Sequence, residues 1–207
     1  MPTAVLVHGL YHQPAHFDAL ATLLRAADVQ VSVPALHRGS LAADTLAVQA
    51  AVDALPTPPI ALGHSYGGSV ITGLAGVAAL VHVAAFVPDA GESAATLGGA
   101  SALLRAAVRQ TPDGTTSIDP HLATDLFYAD CAPDVATRAT ALLRPQAPAA
   151  AEECPSGRRG GTSRRPTWSA RAIKPSTPSC SASWRPGARP RSNGRPATRR
   201  TCPSPPN

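Results

Sequence analysis

The sequence predicts an α/β fold in which a parallel sheet carries helices on both faces. Within residues 4–86, short apolar segments of strand length alternate with longer segments of helical length. Strands that alternate with helices form parallel sheets, because each helix carries the chain back to the start of the next strand. A second observation is a glycine-rich turn at 62–68, which separates an apolar strand from a helix of small residues. A change of composition near residue 150 marks where this pattern ends.

Seven elements account for the first part of the chain. The strands are short and apolar, and the first helix is amphipathic, with apolar residues at helical spacing. The predicted order is a strand at 4–8, a helix at about 17–27, a strand at 29–34, a helix at about 42–54, a strand at 60–64, a helix at 67–76 and a strand at 79–86.

The chain divides into two parts of opposite charge. Residues 1–150 hold 6 basic and 11 acidic side chains, a net charge of −5, whereas residues 151–207 hold 12 basic and 2 acidic side chains, a net charge of +10. The second part also holds 10 of the 22 prolines, and Ile173 is its single Leu, Ile, Val or Phe. Burial cannot offset the ordering entropy of a segment with so little apolar surface and so much like charge. We therefore expect residues 151–207 to form a disordered tail.

Two interpretations of this tail are open. As a genuine basic arm, its arginine pairs, such as Arg158-Arg159, would favour an acidic surface or a nucleic acid. The tail lacks an interleaved aromatic pattern and any recognisable nucleic-acid fold, however. As the product of a shifted reading frame, its Arg, Pro, Ser, Gly, Ala and Thr residues are those that out-of-frame codons of a GC-rich gene encode. We favour the shifted frame and expect no nucleic-acid partner.

The cysteines and the apolar segments indicate in which cellular compartment the protein is expected. The longest apolar stretches have strand length, so neither a signal peptide nor a membrane-spanning segment is predicted, and no membrane partner is expected. Three of the four cysteines fall in the tail, and none has the spacing of metal ligands. A disulfide framework is not expected, and a reducing cytoplasm is the default location.

The glycine-rich turn has the form G-x-S-x-G, with Ser65 at its centre and Gly63, Gly67 and Gly68 around it. A strand, a sharp turn and a helix in this order form a nucleophile elbow, in which the serine takes a strained conformation with an exposed hydroxyl. The glycines suit such a turn because side chains there would collide with the neighbouring strand and helix. The alternative is a glycine-rich turn that merely packs a helix against a sheet. We interpret Ser65 as a candidate nucleophile.

A second segment, Val5-Leu6-Val7-His8-Gly9, precedes this turn by about 55 residues. Together the two segments resemble the α/β-hydrolase superfamily, and more closely the small esterases of the plant methylesterase and hydroxynitrile-lyase type and their bacterial relatives. The resemblance covers residues 1 to about 147 and implies an α/β-hydrolase fold with a small helical cap at about 90–147. The later strands of that fold are expected to be missing. Three further stretches carry the resemblance, at 10–17, 81–89 and 127–131.

The resemblance also implies roles for individual residues. Ser65 would be the nucleophile, and the backbone N–H groups of Leu10 and Tyr66 would form the oxyanion hole. In this superfamily a catalytic acid and then a catalytic histidine follow the serine along the chain.

The expected acid and base are not found after the serine. The histidines that follow Ser65 are His82 and His121. His82 falls inside a strand, where a hydrogen-bonded core histidine is expected, and His121 is expected in a surface turn. Asp89 lies where some hydrolases carry the acid, but a turn or helix cap is favoured. We expect that the base and the acid are lost here; from Arg171 onward, codons can be chosen so that another frame spells segments like the family's acid and histidine motifs.

Four histidines lie near the predicted site. His64 is expected to pack behind the turn, and His12 and His16 to line the pocket, close to His8. Neither their spacing nor a nearby carboxylate supports a metal site. No metal and no cofactor are expected.

The function implied is hydrolysis of a small carboxylic ester through an acyl-enzyme on Ser65, impaired by the loss of the catalytic His and Asp. The expected partner is a small-molecule ester. Two alternatives stay open: lyase chemistry of the hydroxynitrile-lyase kind, and a catalytically dead fold that acts as a binding module or not at all. The sequence predicts neither the natural substrate nor the oligomeric state.

Overall fold

The structure is a computed structural model that describes residues 1–98 and 101–155, together with the backbone of residues 167–170. The first elements follow the predicted order, with most ends within a few residues of the prediction. They are β1 (Thr3–Val7), a 3-10 helix (Pro14–Phe17), α1 (Asp18–Ala26), β2 (Gln30–Ser32), α2 (Leu41–Asp53), β3 (Ile60–His64), α3 (Gly67–Thr72) and β4 (Ala79–Val83).

The strands form a five-stranded parallel sheet in the order β2-β1-β3-β4, followed by a fifth strand at Thr167–Ala170, here β7 because the cap contributes β5 and β6. Ala61 of β3 pairs with Val5 of β1 on one side and with Leu80 of β4 on the other. The chain runs from β1 outward to β2 and then returns across β1 to β3, so the direction of winding reverses at β1. In open parallel sheets, ligands bind beyond the carboxyl ends of the strands at such a reversal.

The fifth strand, β7 (Thr167–Ala170), lies within residues 151–207. It pairs in parallel with β4, and Val81 lies opposite Trp168. The sheet therefore continues by one strand beyond the point where the sequence pattern ends. The other tail residues, 156–166 and 171–207, lie outside the described residues.

The helices cover both faces of the sheet. Right-handed crossovers place α1 on one face, because the chain moves from β1 to β2 in one direction, and place α2 and α3 on the other, because it then moves back. Fully buried residues of the inner strands, such as Val5 and Val7, pack in one cluster with Val48 of α2 and Ile71 of α3. This cluster fixes the position of α3 relative to the sheet. It therefore also fixes the position of the turn that precedes α3.

The region at 90–147 forms the predicted cap, with one element that was not predicted. Between its helices lies an antiparallel hairpin, which joins Val108 to Ile118. The last long helix of the cap begins at Pro133, and Asp134 in its first turn pairs with Arg138 at 2.8 Å. The elements are α4 (Ala102–Ala107), β5 (Val108–Gln110), β6 (Thr116–Ile118), α5 (Pro120–Phe127), α6 (Pro133–Ala141) and α7 (Ala149–Glu152).

The cap is anchored on the loop that follows β1. Tyr11 of that loop is 7% exposed and packs in one cluster with Ala107, Ile118 and Ala123 of the cap. The Tyr11 carbonyl also accepts a hydrogen bond from the amide of Arg144 at 2.7 Å. The loop after β1 is therefore held between the sheet and the cap.

Candidate active site

Ser65 occupies the turn between β3 and α3 with a strained backbone. Its φ of 53° lies in the left-handed region that residues with a side chain rarely adopt. Neighbouring backbone groups hold it there: the Ser65 amide donates to the Val83 carbonyl at 3.3 Å, and its carbonyl accepts from the amides of Gly68 at 3.0 Å and Phe86 at 3.1 Å. The turn geometry agrees with the one predicted from G-x-S-x-G, whereas the catalytic role of Ser65 stays a prediction.

The glycines of the turn are required by close backbone contacts. A Cβ on Gly67 would lie 2.3 Å from the Val7 carbonyl oxygen, and one on Gly68 would lie 2.3 Å from that of Phe86. A Cβ on Gly63 would lie 2.5 Å from the Gly67 carbonyl oxygen. No side chain fits at these distances, so the three glycines allow α3 to start directly against β1 and β4.

The loop after β1 lies against the same serine. A Cβ on Gly9 would lie 3.1 Å from the Ser65 Cβ, 3.4 Å from its Oγ and 3.5 Å from Nδ1 of His64. Within the described part of the chain, neither the Leu10 amide nor the Tyr66 amide donates a hydrogen bond to another residue. Backbone donors left unused beside a serine are what an oxyanion hole requires. The assignment of Leu10 and Tyr66 to that role stays a prediction.

His8 and His12 support the loop from within. The Nδ1–H of His8 donates to the Gly9 carbonyl at 2.9 Å, and the Nδ1–H of His12 donates to the Leu10 carbonyl at 2.8 Å. With Nδ1 protonated, Nε2 of His12 accepts the hydroxyl hydrogen bond of Tyr128 at 3.1 Å. Burial lowers the pKa of His8 to about 4 and that of His12 to about 3. Both rings are therefore neutral near pH 7.

His16 and Gln13 join this loop to the end of the cap. The backbone amide of Gln13 donates to Nδ1 of His16 at 3.1 Å. Nε2 of His16 therefore carries the proton, and it donates to the Ala139 carbonyl at 3.1 Å. The Gln13 side chain donates to the Leu142 carbonyl at 2.8 Å. His12 and His16, which were expected to line the pocket, therefore have hydrogen bonds that hold the loop and the cap together.

His82 lies in the core as expected, and its ring is without a hydrogen-bond partner in the described part of the chain. Its ring is 1% exposed and packs behind the turn, with Cδ2 3.2 Å from the position of a Cβ on Gly68. Neither ring nitrogen has a hydrogen-bond partner among the described residues. The expectation of a hydrogen-bonded histidine stays a prediction, and burial lowers the pKa of His82.

His121 and Asp89 lie at the surface. His121 is exposed at the start of α5, where its amide donates to Oδ1 of Asp119 at 2.9 Å. Asp89 is exposed in a turn in which its amide donates to Glu92 at 3.0 Å. In the described residues, no histidine or carboxylate makes a hydrogen bond to the Ser65 hydroxyl.

A buried carboxylate behind the turn was missed by the sequence analysis. Asp44 of α2 is 0% exposed and accepts hydrogen bonds from the Tyr66 hydroxyl at 2.7 Å and from the Arg38 amide at 2.7 Å. Burial raises the pKa of Asp44, and burial together with the nearby carboxylate raises the pKa of Tyr66. The sequence did carry a signal for the burial of Asp44. Its spacing from Leu41 and Val48 places it on the apolar face of α2.

Other groups that bear on function are few. No cluster of three or more potential metal-binding side chains occurs in the described residues. None of the helices described is both long and apolar enough to cross a membrane. Cys131 is an exposed free cysteine, whereas Cys154 is disulfide-bonded although no disulfide was expected.

Residues 4–201 match the alpha/beta hydrolase family. Because the match spans most of the chain, the protein belongs to this family. Among curated proteins, none matches the sequence significantly.

Solved structures of similar fold include enzymes from bacteria and plants. A pyrethroid hydrolase is 19% identical with a TM-score of 0.65, covering 77% of this chain and 73% of its own. A methylesterase from Arabidopsis is 20% identical with a TM-score of 0.61, over 76% and 71% of the two chains. An extracellular alpha/beta-hydrolase from a Paenibacillus species is 21% identical with a TM-score of 0.61, over 83% and 77%. At these identities the likeness shows the fold.

Proposed function

We propose that this protein carries the acyl-transfer site of a serine esterase that acts on small carboxylic esters. One observation supports this most strongly: Ser65 sits at a left-handed turn with φ of 53°, beside a loop that leaves the Leu10 and Tyr66 amides without a partner among the described residues. Similar folds belong to a methylesterase and a pyrethroid hydrolase, which favours ester substrates.

In the proposed reaction, the Ser65 oxygen forms a bond to the ester carbonyl carbon while its proton passes to a base. The carbonyl oxygen becomes an oxyanion, which the Leu10 and Tyr66 N–H groups would stabilise. Collapse of this intermediate expels the alcohol and leaves an acyl-serine, which water hydrolyses to the carboxylic acid. The Ser65 residue is regenerated for the next cycle.

The weak element of this site is the base. A serine hydroxyl needs a base within hydrogen-bond reach, and an acid that orients the base. No histidine follows His121 in the sequence, and His121 is exposed at the surface. We propose that the acid and the base lie in the frame that is lost after about residue 150, and that esterase activity is strongly reduced in this chain.

The test compares two serines close together in the chain. Ser65→Ala removes the proposed nucleophile. Ser69→Ala removes a hydroxyl of α3 that belongs to a residue 1% exposed and has no partner among the described residues. We expect Ser65→Ala to abolish both labelling by a fluorophosphonate probe and slow hydrolysis of p-nitrophenyl acetate, and Ser69→Ala to preserve both. Equal rates for Ser65→Ala and the unmodified chain would favour a catalytically dead fold for this chain, and Ser65→Ala in a chain whose reading frame is corrected near residue 150 would then decide whether Ser65 is the nucleophile. Cleavage of mandelonitrile in place of the ester would favour the lyase alternative.

A further inference from the structure

Asp44 is the centre of a hydrogen-bond network that lies behind the candidate site. Its side chain is completely buried, and each carboxylate oxygen accepts one hydrogen bond at 2.7 Å. The two donors belong to different parts of the molecule. One leads to the turn after β3, and the other leads to the loop after β1.

The first branch reaches the turn. Tyr66 is 0% exposed, and its hydroxyl donates to Oδ2 of Asp44. Tyr66 is also the residue whose backbone N–H would form one half of the oxyanion hole. Its side chain thus fixes this residue to α2 at one end, while the backbone enters α3 at the other.

The second branch reaches the loop. The Arg38 amide donates to Oδ1 of Asp44, and the Arg38 guanidinium donates to the His12 carbonyl at 2.7 Å. The His12 ring in turn donates to the Leu10 carbonyl at 2.8 Å. Leu10 is the residue whose N–H would form the other half of the oxyanion hole. Arg38 holds φ of 70°, a left-handed conformation that orients its amide and side chain in these two directions.

The hydrogen bonds of Asp44 contribute more to the relative positions of the turn after β3 and the loop after β1 than to the stability of the fold. A buried carboxylate carries a desolvation cost, and an apolar pair of similar volume often packs as well or better. Asp44 makes no ion pair with Arg38 or any other cation in the described residues, because the Arg38 guanidinium bonds to the carbonyls of His12 and Pro145. The Asp44 hydrogen bonds therefore fix the directions of both branches.

We propose that Asp44 is a positioning residue that holds the Leu10 and Tyr66 amides in register around Ser65. The proposal rests on the proposed function, since it concerns the same oxyanion hole. The network also continues to the cap, because the Arg38 carbonyl accepts from the Gln146 side chain and from the Ala147 amide, each at 3.0 Å. Hydrogen bonds therefore connect the end of the cap to the loop that carries Leu10.

The test reads the two amides directly, so that it does not depend on turnover. In the ¹⁵N-labelled full chain, Asp44→Asn should shift or broaden the amide resonances of both Leu10 and Tyr66 and increase their hydrogen exchange about tenfold. Arg38→Gln breaks the second branch alone and should affect the Leu10 amide but not that of Tyr66. The control is Thr3→Val, which removes a partly buried hydrogen bond to Thr57 at the amino-terminal end of β1, away from the candidate site.

The control separates positioning from general stability. Thr3→Val should lower the melting temperature without changing either amide. The proposal is overturned if Asp44→Asn leaves both amides unchanged, or if Thr3→Val perturbs them equally at a matched loss of melting temperature. If Asp44→Asn fails to fold, Arg38→Gln still decides the question. In that variant the Leu10 amide must change while the Tyr66 amide does not.

A second readout connects the network to the reaction. Where Ser65-dependent hydrolysis of p-nitrophenyl acetate is measurable, Asp44→Asn should lower kcat about tenfold at unchanged KM, since the oxyanion exists in the transition state and not in the bound ester. An unchanged kcat alongside shifted amides would contradict the role in positioning for catalysis. Hydrolysis that does not depend on Ser65 would overturn the proposed function, while the amide test still decides the role of Asp44.

Discussion

At the scale of single residues, the close approach of backbones around Ser65 explains why its neighbours are glycines. The carbonyl oxygen of Val7 occupies the space that a Cβ on Gly67 would need, at 2.3 Å. Because a backbone oxygen in a central strand moves only with the strand, the clash cannot be relieved by a side-chain rotation. A larger residue here must separate α3 from β1 and so displace the turn.

Gly67→Ala should therefore destabilise the fold by roughly 3 kcal/mol or more. The matched control is Gly73→Ala at the end of α3, where the nearest atom is the Thr45 Cγ2 at 3.0 Å. That methyl can give by a few tenths of an ångström, and alanine favours the helix, so the control should stay within about 1 kcal/mol of the parent. Urea denaturation gives both free energies of unfolding. Equal losses in the two variants would mean that the strand contact is not rigid.

The residues in and behind the candidate site differ in how well they could be predicted from the sequence. Ser65 and its glycines follow from a local pattern, because one turn geometry dictates all of them. Asp44 was not found, since its partners Tyr66 and Arg38 lie 22 and 6 residues away and its burial depends on how α2 packs. The surroundings of the His82 ring, which has no partner in the described residues, likewise depend on tertiary packing and not on the strand pattern.

At the scale of elements, the loop after β1 joins the sheet to the cap through neutral histidines. In the folded chain burial lowers the pKa of His8 to about 4 and of His12 to about 3, from an ordinary value of 6.5. Below pH 6.5 the unfolded chain takes up protons that these buried rings exclude. Stability from this source is present above pH 6.5 and is lost as the pH falls toward 4.

The free energy of unfolding should therefore fall between pH 7 and pH 5, by on the order of 2 kcal/mol for each such histidine. His12→Asn removes one ionisable ring and should reduce this pH dependence. The control His121→Asn removes an exposed ring and should leave it near that of the parent chain. Urea midpoints at the two pH values provide the measurement. Identical midpoints at pH 7 and pH 5 would show that the buried rings become protonated without cost.

The ends of helices and strands differ in how closely the local sequence predicts them. β3 begins and ends as predicted, because apolar strand residues are bounded by prolines before it and by the turn after it. α3 ends at Thr72 instead of residue 76, since Gly73 and the turn that follows replace the last helical hydrogen bonds. The hairpin that pairs Val108 with Ile118 was missed, because its two strands have three residues each and carry little alternation.

At the scale of the whole molecule, the sheet and its right-handed crossovers bring the site together. β1 and β3 are adjacent and parallel, so His8-Gly9-Leu10 and Ser65-Tyr66 emerge at one edge although about 55 residues separate them. This juxtaposition could be predicted from the alternation of strands and helices. The composition of residues 151–207 gave little support for a further strand, because it is basic and poor in apolar residues, yet Thr167–Ala170 pairs with β4.

We propose that Ser65 is the nucleophile of an ester hydrolase whose base and acid are lost after about residue 150. This is tested by kcat/KM for p-nitrophenyl acetate in this chain and in a version whose reading frame is corrected near that residue. We expect the corrected chain to gain roughly 10⁴-fold or more, and Ser65→Ala to abolish the gain. A corrected chain no faster than the present one, or one whose activity survives Ser65→Ala, would contradict it.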